Sequence, residues 1–222
     1  MPHIRWARGL VLVAASGLAR EVLALERVVG RYDDLRVLDD DPARRGTALD
    51  GAEVVGGLAE IARYPEHDVV VCAGRGATRR SLVERLVELG VGDERYARVI
   101  HPAATVSGTA IGRGSIVLAG AVGTANVTVG RHVVVMPQVT LTHDDVVADY
   151  VTLCAGVSLG GGVRVDEGAY LGMNACVREG GEVGAGSTLG MGAALLTPLP
   201  AGATWVGVPA RPIAATYRME GA

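Results

Sequence analysis

From Ile111 to Leu195 a branched aliphatic residue returns every six positions: Ile111, Val117, Val129, Val135, Leu141, Val147, Leu153, Leu159, Val165, Leu171, Val177, Val183, Leu189 and Leu195, with Gly123 as the lapse. Four residues after each member the side chain is usually small or β-branched, as at Ser115, Ala121, Val127, Val133, Val139, Val151, Val157, Val163, Ala169 and Ala193. A period of six fits neither the 3.6-residue helix nor the heptad, and the segment is crowded with Gly. It is the period of a hexapeptide parallel β-helix, in which each hexad is a short strand plus a turn. Three hexads close a coil of about eighteen residues, so the repeat makes roughly five coils stacked ~4.8 Å apart. Gly is frequent one residue after each member (Gly112, Gly130, Gly160, Gly172, Gly184, Gly190), where a sharp turn through conformations that penalise a Cβ is expected. The periodicity itself leaves the handedness of the coil open.

Ahead of the repeat the pattern changes. Gly9 to Ala15 (GLVLVAA) reads as a buried parallel strand, followed by Ser16-Gly17 and a helical pattern through Arg20, Glu21, Val22, Leu23, Leu25 and Val28. Leu35 to Leu38 is a second strand running into the acidic turn Asp39-Asp40-Asp41-Pro42. Asp68 to Cys72 is a third, ending at Ala73-Gly74, and Thr78 to Leu89 repeats apolar residues at helical spacing. Three strand-helix alternations make a small Rossmann-like α/β unit. Its glycines form neither a full dinucleotide fingerprint nor a phosphate-binding loop with Lys. Asp39 and Asp40 stand where such folds accept hydrogen bonds from sugar hydroxyls or a base; a solvated turn capped by Pro42 explains them equally. Residues 1-100 are assigned to this unit, 101-204 to the β-helix, entered through Arg98 to Pro102, and 205-222 to a C-terminal cap or tail.

Composition narrows the setting. Of 222 residues 49% are hydrophobic, enough for a buried core, and two Trp, six Tyr and no Phe suit a coil too thin for large rings. A formal charge of −3 argues against a nucleic-acid or anionic-membrane surface. Cys72, Cys154 and Cys176 lack metal-ligand spacing and read as reduced, buried thiols of a cytoplasmic protein. Gly9 to Ala15 is too short to span a bilayer, and no export signal is evident.

Of His3, His67, His101, His132 and His143, only His143 lies inside the repeat with carboxylates beside it, in Leu141-Thr142-His143-Asp144-Asp145. One coil further on stands Gly161, leaving a recess beside the imidazole. A neutral His with a carboxylate partner suits general-base work, and a structural His on a β-helix surface fits the spacing as well. Asp145 occupies the inward position that otherwise holds small or aliphatic residues. A carboxylate there must be hydrogen-bonded or protonated, so a raised pKa or a local departure from regular coiling is expected. No second His falls one coil from His132 or His143, and no metal site is expected.

The order of an α/β unit, an Ile100-His101-Pro102 junction, hexapeptide coils with Thr142-His143-Asp144-Asp145, and the tail Val206 to Ile213 (VGVPARPI) resembles the bacterial hexapeptide acyltransferases of the sialic-acid O-acetyltransferase and nucleotide-sugar N-acetyltransferase (NeuD/PglD-like) family. The resemblance covers about Leu10 to Ile213. It implies a left-handed β-helix, a homotrimer and acetyl transfer from acetyl-CoA bound between coils. By that resemblance His143 is the general base with Asp144 raising its basicity, and Gly161 N–H stabilises the oxyanion. Cofactor contacts fall on Thr152, Gly161, Met173 and Met191. The nucleotide part of the acceptor falls on Ser16, Gly17, Asp39, Asp40 and Gly74. The chain departs from the family at Ala14, where Gly is usual, and at Leu18, where His is usual. Met191 stands where Gly is common and Thr152 where His occurs, which narrows the cofactor pocket. The reading is an acetyl-CoA-dependent N-acetyltransferase of a nucleotide-linked amino sugar. O-acetylation of a sugar or sialic-acid-like hydroxyl is the first alternative, and a non-catalytic trimeric scaffold or binding protein the second.

Overall fold

The computed structural model describes residues 9–213; His3 and the end of the tail, 214–222, lie outside the described residues. The first unit is built on β1 (Gly9–Val13), whose residues are all buried. Ser16 caps the helix that follows, α1 (Gly17–Val29), its hydroxyl accepting from Ala19 N at 3.2 Å. Gly30 ends that helix in the left-handed region and donates to Glu26 O at 2.7 Å. β2 (Asp34–Leu38), β3 (Ala48–Leu49), β4 (Ala52–Gly56) and β5 (Asp68–Val71) complete a sheet in the order β3-β4-β2-β1-β5, parallel except where β3 meets β4. Helix α2 (Gly76–Glu88) follows β5.

The expected second strand-helix alternation is replaced. After β2 the chain makes a 3-10 turn at Pro42–Arg44, the β3–β4 hairpin and a second 3-10 segment at Leu58–Arg63. The cause is local: Gly46, Asp50, Gly51 and Gly56 all adopt positive φ, which no helix continues through.

From Ala110 onward two-residue strands stack into three parallel sheets, each strand pairing with its counterpart one coil away. One sheet, here called the docking face, contains Ile116–Val117, Val134–Val135, Thr152–Leu153, Tyr170–Leu171 and Thr188–Leu189. The second face runs through Thr140–Leu141, Ser158–Leu159 and Cys176–Val177, and the third through Thr128–Val129, Val146–Val147 and Arg164–Val165. The six-residue series and the residues four further on both point inward and form one continuous aliphatic core. β6 (Val99–Ile100) pairs with Ile116–Val117, so the docking face starts in the segment that joins the two units.

The sharp turn lies elsewhere than expected. Positive φ occurs three residues after every series position except Leu195, at Gly114, Gly120, Gly156, Gly162, Gly168, Gly180, Gly186 and Gly192, and also at Asn126, His132, Gln138, Asp144, Tyr150 and Asn174. The glycines one residue after the series are needed for a different reason. At Gly112, Gly160, Gly172 and Gly184 a Cβ would run into the backbone of the next coil. Cys176 is also exposed, contrary to the expectation of three buried thiols, while Cys72 is buried; all three are free.

The α/β unit packs on the docking face and on the corner between the third and docking faces. Arg79 of α2 is fully buried there. It donates from Nε to His132 O (2.6 Å), from Nη1 to Ala73 O (2.6 Å), and from Nη2 to Tyr150 O (2.9 Å) and Val151 O (3.1 Å). With no carboxylate in that set, burial pulls the guanidinium pKa down to about 10. Beside it the ring of His132 stacks on Tyr150 (centroids 5.2 Å, 7° between planes) and meets the edge of Tyr96. Burial pulls the His132 pKa down to about 4, leaving a neutral, enclosed imidazole. Replacing Arg79 by Met would strand several buried carbonyls at about 1–3 kcal/mol each. Denaturant unfolding of Arg79→Met is expected to show a loss of about 3 kcal/mol or more; a loss below about 1 kcal/mol would mean that the carbonyls find other partners.

Candidate active site

The corner between the second and third faces carries His143. Asp144, three residues after Leu141, takes the left-handed turn position (φ 64). His143 Nδ1 lies 2.9 Å from Asp144 Oδ2, and Asp144 Oδ1 accepts from Asn126 Nδ2 at 2.8 Å. These bonds, Asn126 first and His143 second, hold the Asp144 carboxyl below its usual pKa. With Nδ1 donating to the carboxylate, Nε2 is the acceptor nitrogen of a neutral imidazole. Asn126 was not among the residues read from the sequence. It stands one coil before Asp144 and shares its turn position, which is the signal that finds it.

The next coil completes the corner. A Cβ at Gly161 would overlap Cε1 and Nε2 of His143, so the ring itself fills the recess expected there. Gly162 N donates to His143 O at 2.8 Å, tying the two coils at that residue, and Gly161 O accepts from Gly180 N. Among the described residues Gly161 N–H has no acceptor in the backbone network between coils. Asp145 is fully buried in the regular coil; Oδ2 accepts from Thr142 N and Oδ1 from Val163 N, both at 2.8 Å. Burial, outweighing those two bonds, pushes its carboxyl up to about 6.

Gly161 apart, the residues expected to contact a cofactor do not lie at this corner. Met173 and Met191, 50% and 67% exposed, lie at the corner between the docking and second faces. Six residues of chain separate the two corners, ~20 Å at most when extended. The exposed Ser158 and Cys176 lie on the face between them. Thr152 is buried against the α/β unit, donating to Gly74 O at 2.7 Å and accepting from Arg79 Nη2.

The residues expected to hold an acceptor converge only in part. Ser16 Oγ donates to Cys72 O at 2.5 Å, linking the loops after β1 and β5, between which the strand order reverses. Ligands of open α/β sheets bind in that crevice. Gly17 and Gly74 flank it with open space where a Cβ would be, and with Leu18, Val134, Thr152 and Tyr170 they line a cavity of about 270 Å³. Asp39 stays beside this turn, Oδ2 accepting from Ala15 N at 2.7 Å. Asp40 turns away, accepting from Leu58 N (2.9 Å) and pairing with Arg85 (2.8 Å). The two acids therefore do not act as a pair.

An α/β unit docked on a hexapeptide coil, with a His–Asp pair over a glycine of the next coil, defines an acyltransferase fold class. Residues 9–86 match the family model described as the PglD N-terminal domain. The chain is similar to the acetyltransferase domain of PglB from Neisseria gonorrhoeae FA1090 (33% identity, TM-score 0.85, 93% of this chain and 100% of that one), also solved in complex with acetyl coenzyme A. It is similar too to perosamine N-acetyltransferase (PerB) from Caulobacter crescentus in complex with CoA and GDP-perosamine (28% identity, TM-score 0.84, 93% and 97%). A stretch of 106 residues is 32% identical to UDP-3-O-acylglucosamine N-acyltransferase of Caulobacter sp. strain K31, covering 48% of this chain and 31% of that protein. The chain spans less than half the length of the curated relatives it matches. It belongs to the PglD/NeuD-like family of hexapeptide-repeat acetyltransferases, and its coil is a left-handed parallel β-helix.

Two measurements follow from this local geometry. Ala14 sits at φ 78, a region that costs a residue with a Cβ about 1–2 kcal/mol. Ala14→Gly should therefore leave the protein as stable or up to about 1 kcal/mol more stable by thermal melting, despite the added freedom of the unfolded chain; a clear loss would mean the site relies on the Ala14 methyl. Asp145, with its pKa raised from 3.8 to about 6, keeps a proton in the native state that the unfolded chain gives up. Its contribution is full below pH 3.8 and lost as pH rises through 6. Asp145→Asn should therefore gain stability relative to the native sequence as pH rises across that window, by roughly 3 kcal/mol at about 1.4 kcal/mol per pKa unit. A pH-independent difference would show that the carboxyl titrates normally.

Proposed function

We propose that the protein is an acetyl-CoA-dependent N-acetyltransferase acting on the amino group of a nucleotide-linked amino sugar, with His143 as general base. The observation that carries this reading is the His143–Asp144 pair with its acceptor nitrogen over Gly161. As the acceptor amine attacks the thioester carbonyl carbon, Nε2 takes the amine proton while the new C–N bond forms. The carbonyl oxygen becomes an oxyanion, for which Gly161 N–H is the available donor. Collapse re-forms the carbonyl, breaks the C–S bond and releases the thiol of CoA, protonated by the imidazolium. Asp144 stabilises that imidazolium, and Asn126 holds Asp144 in place.

Met173 and Met191 give an extended cosubstrate an apolar hold at the far side of the second face, with Gly161 at the reacting end. Thr152 acts less by touching the cosubstrate than by bonding Gly74 O, on the acceptor side. Ser16, Gly17, Asp39 and Gly74 surround the acceptor crevice, and Asp40 braces the loop behind it. The named acceptor and cosubstrate of the Caulobacter crescentus protein support this division.

The same geometry supports a homotrimer with shared sites. His143 lies at the edge opposite the docking face, so the α/β unit of one chain cannot present an acceptor to its own base. A neighbouring protomer must supply one of the two.

The first test is acetyl-CoA consumption against a panel of nucleotide-linked amino sugars and free sialic acid. Turnover of one amino sugar is expected, with His143→Ala lowering kcat/KM by about 10²–10⁴; retained activity in that variant would overturn the assignment of the base. The second is complementation. Mixed trimers of His143→Ala with a crevice-blocking Gly74→Trp should recover part of the activity that each variant lacks alone, and no recovery would place both halves of the site on one chain.

A further inference from the structure

The mechanism above does not use Asp145, although its placement is the least expected of any polar residue in the coil. At the same inward position most coils carry an aliphatic or small residue, and Val127 and Val163 occupy it one coil away on either side. The side chain is 0% exposed, and its two oxygens reach two different coils. Oδ2 accepts from the backbone of Thr142, the residue before His143. Oδ1 accepts from the backbone of Val163, two residues after Gly161. The carboxylate thus spans the gap between the segment that carries the base and the segment that carries the oxyanion donor.

We propose that Asp145 is a positioning residue for acyl transfer: its buried carboxylate clamps the His143 segment to the Gly161 segment and so fixes the distance between proton acceptor and oxyanion donor. The proposal rests on the acetyltransferase reading given above. Position matters because the two groups must act on one carbonyl at once, and a misplacement of about 1 Å can cost ~10²-fold in rate. The coil supplies an internal comparison. Ser115 occupies the equivalent inward position and its Oγ accepts from Val133 N at 2.9 Å, while donating to Gly130 O. Both bonds of the Ser115 hydroxyl go to the following coil, whereas the Asp145 carboxylate accepts from its own coil and from the next.

Such a clamp depends on charge. Protonation turns one oxygen into a donor facing an N–H and removes one of the two bonds. The ionisable groups that bear on Asp145 are His143, favouring the carboxylate, and Asp144, opposing it. Its two immediate neighbours along the stack are Val127 and Val163 within the apolar interior. The grip on the corner therefore loosens as the medium becomes acidic through the region of pH 6, independently of the proton that His143 must lose to act as base.

The test uses the full chain with Asp145→Val and Asp145→Asn. In Asp145→Val, kcat is expected to fall by roughly 10- to 100-fold with KM for acetyl-CoA changed less than about threefold, while the melting temperature stays level or rises. Asp145→Asn, which keeps one acceptor, is expected in between. The acid limb of its kcat profile should become shallower than that of the native enzyme, a change that a merely structural role would not produce. Hydrogen–deuterium exchange reads the clamp without turnover. The Thr142 and Val163 amides should exchange faster in Asp145→Val, and faster in the native protein below pH 6 than exchange chemistry alone predicts. Unchanged kcat in both variants overturns the positioning role, and unchanged exchange overturns the clamp. If the native protein acetylates none of the panel while the two amides remain protected only when Asp145 is present, the clamp stands and the reaction assigned above is what fails.

Discussion

The contacts that tie the candidate corner together from coil to coil join residues eighteen positions apart. Asn126 meets Asp144 and Asp145 meets Val163 across eighteen residues each, and His143 lies over Gly161 by the same step. The constraint is the constancy of that step. An inserted or deleted residue between Asn126 and Asp144 would break the first pair, and one between Asp145 and Gly161 would break the other two. The aliphatic series therefore does more than bury surface: by forbidding slippage it holds an exposed His–Asp pair in fixed geometry without a protein core around it.

The same regularity made much of the fold legible in the sequence. The six-residue series gave the coil, and the position four residues further on gave the second row of the interior. The turn position was misread because its chemistry is mixed. Asp144, Asn126, His132 and Tyr150 do there what glycine does elsewhere, so counting glycines pointed to a different place, where the next coil simply passes too close for a Cβ. Within the α/β unit, the run of glycines and Asp41-Pro42 between β2 and β5 concealed a hairpin behind an expected helix.

The candidate site was legible where chemistry sits on neighbouring residues or one repeat apart, as with His143, Asp144 and Gly161. It was not legible where it depends on how the two units meet. Arg79, within the helical pattern read over Thr78 to Leu89, is fully buried and binds carbonyls from both units. Thr152 was assigned by the family resemblance, and only the docked α/β unit shows it bonded to Gly74. Residues whose partners come from another layer carry no periodic signature.

The two ends of the docking face differ from its middle. At one end β6 covers the first coil. At the other, the strand Thr204–Val206 is closed by Arg211–Pro212, which turns back antiparallel to form the last edge. A stack of parallel coils with open ends is a template on which a second copy can continue the hydrogen-bond ladder, as in fibrils. Pro212 has no N–H to offer, and a reversed strand breaks the coil's parallel order. On this face, a polymerisable repeat is thereby kept to a finite particle.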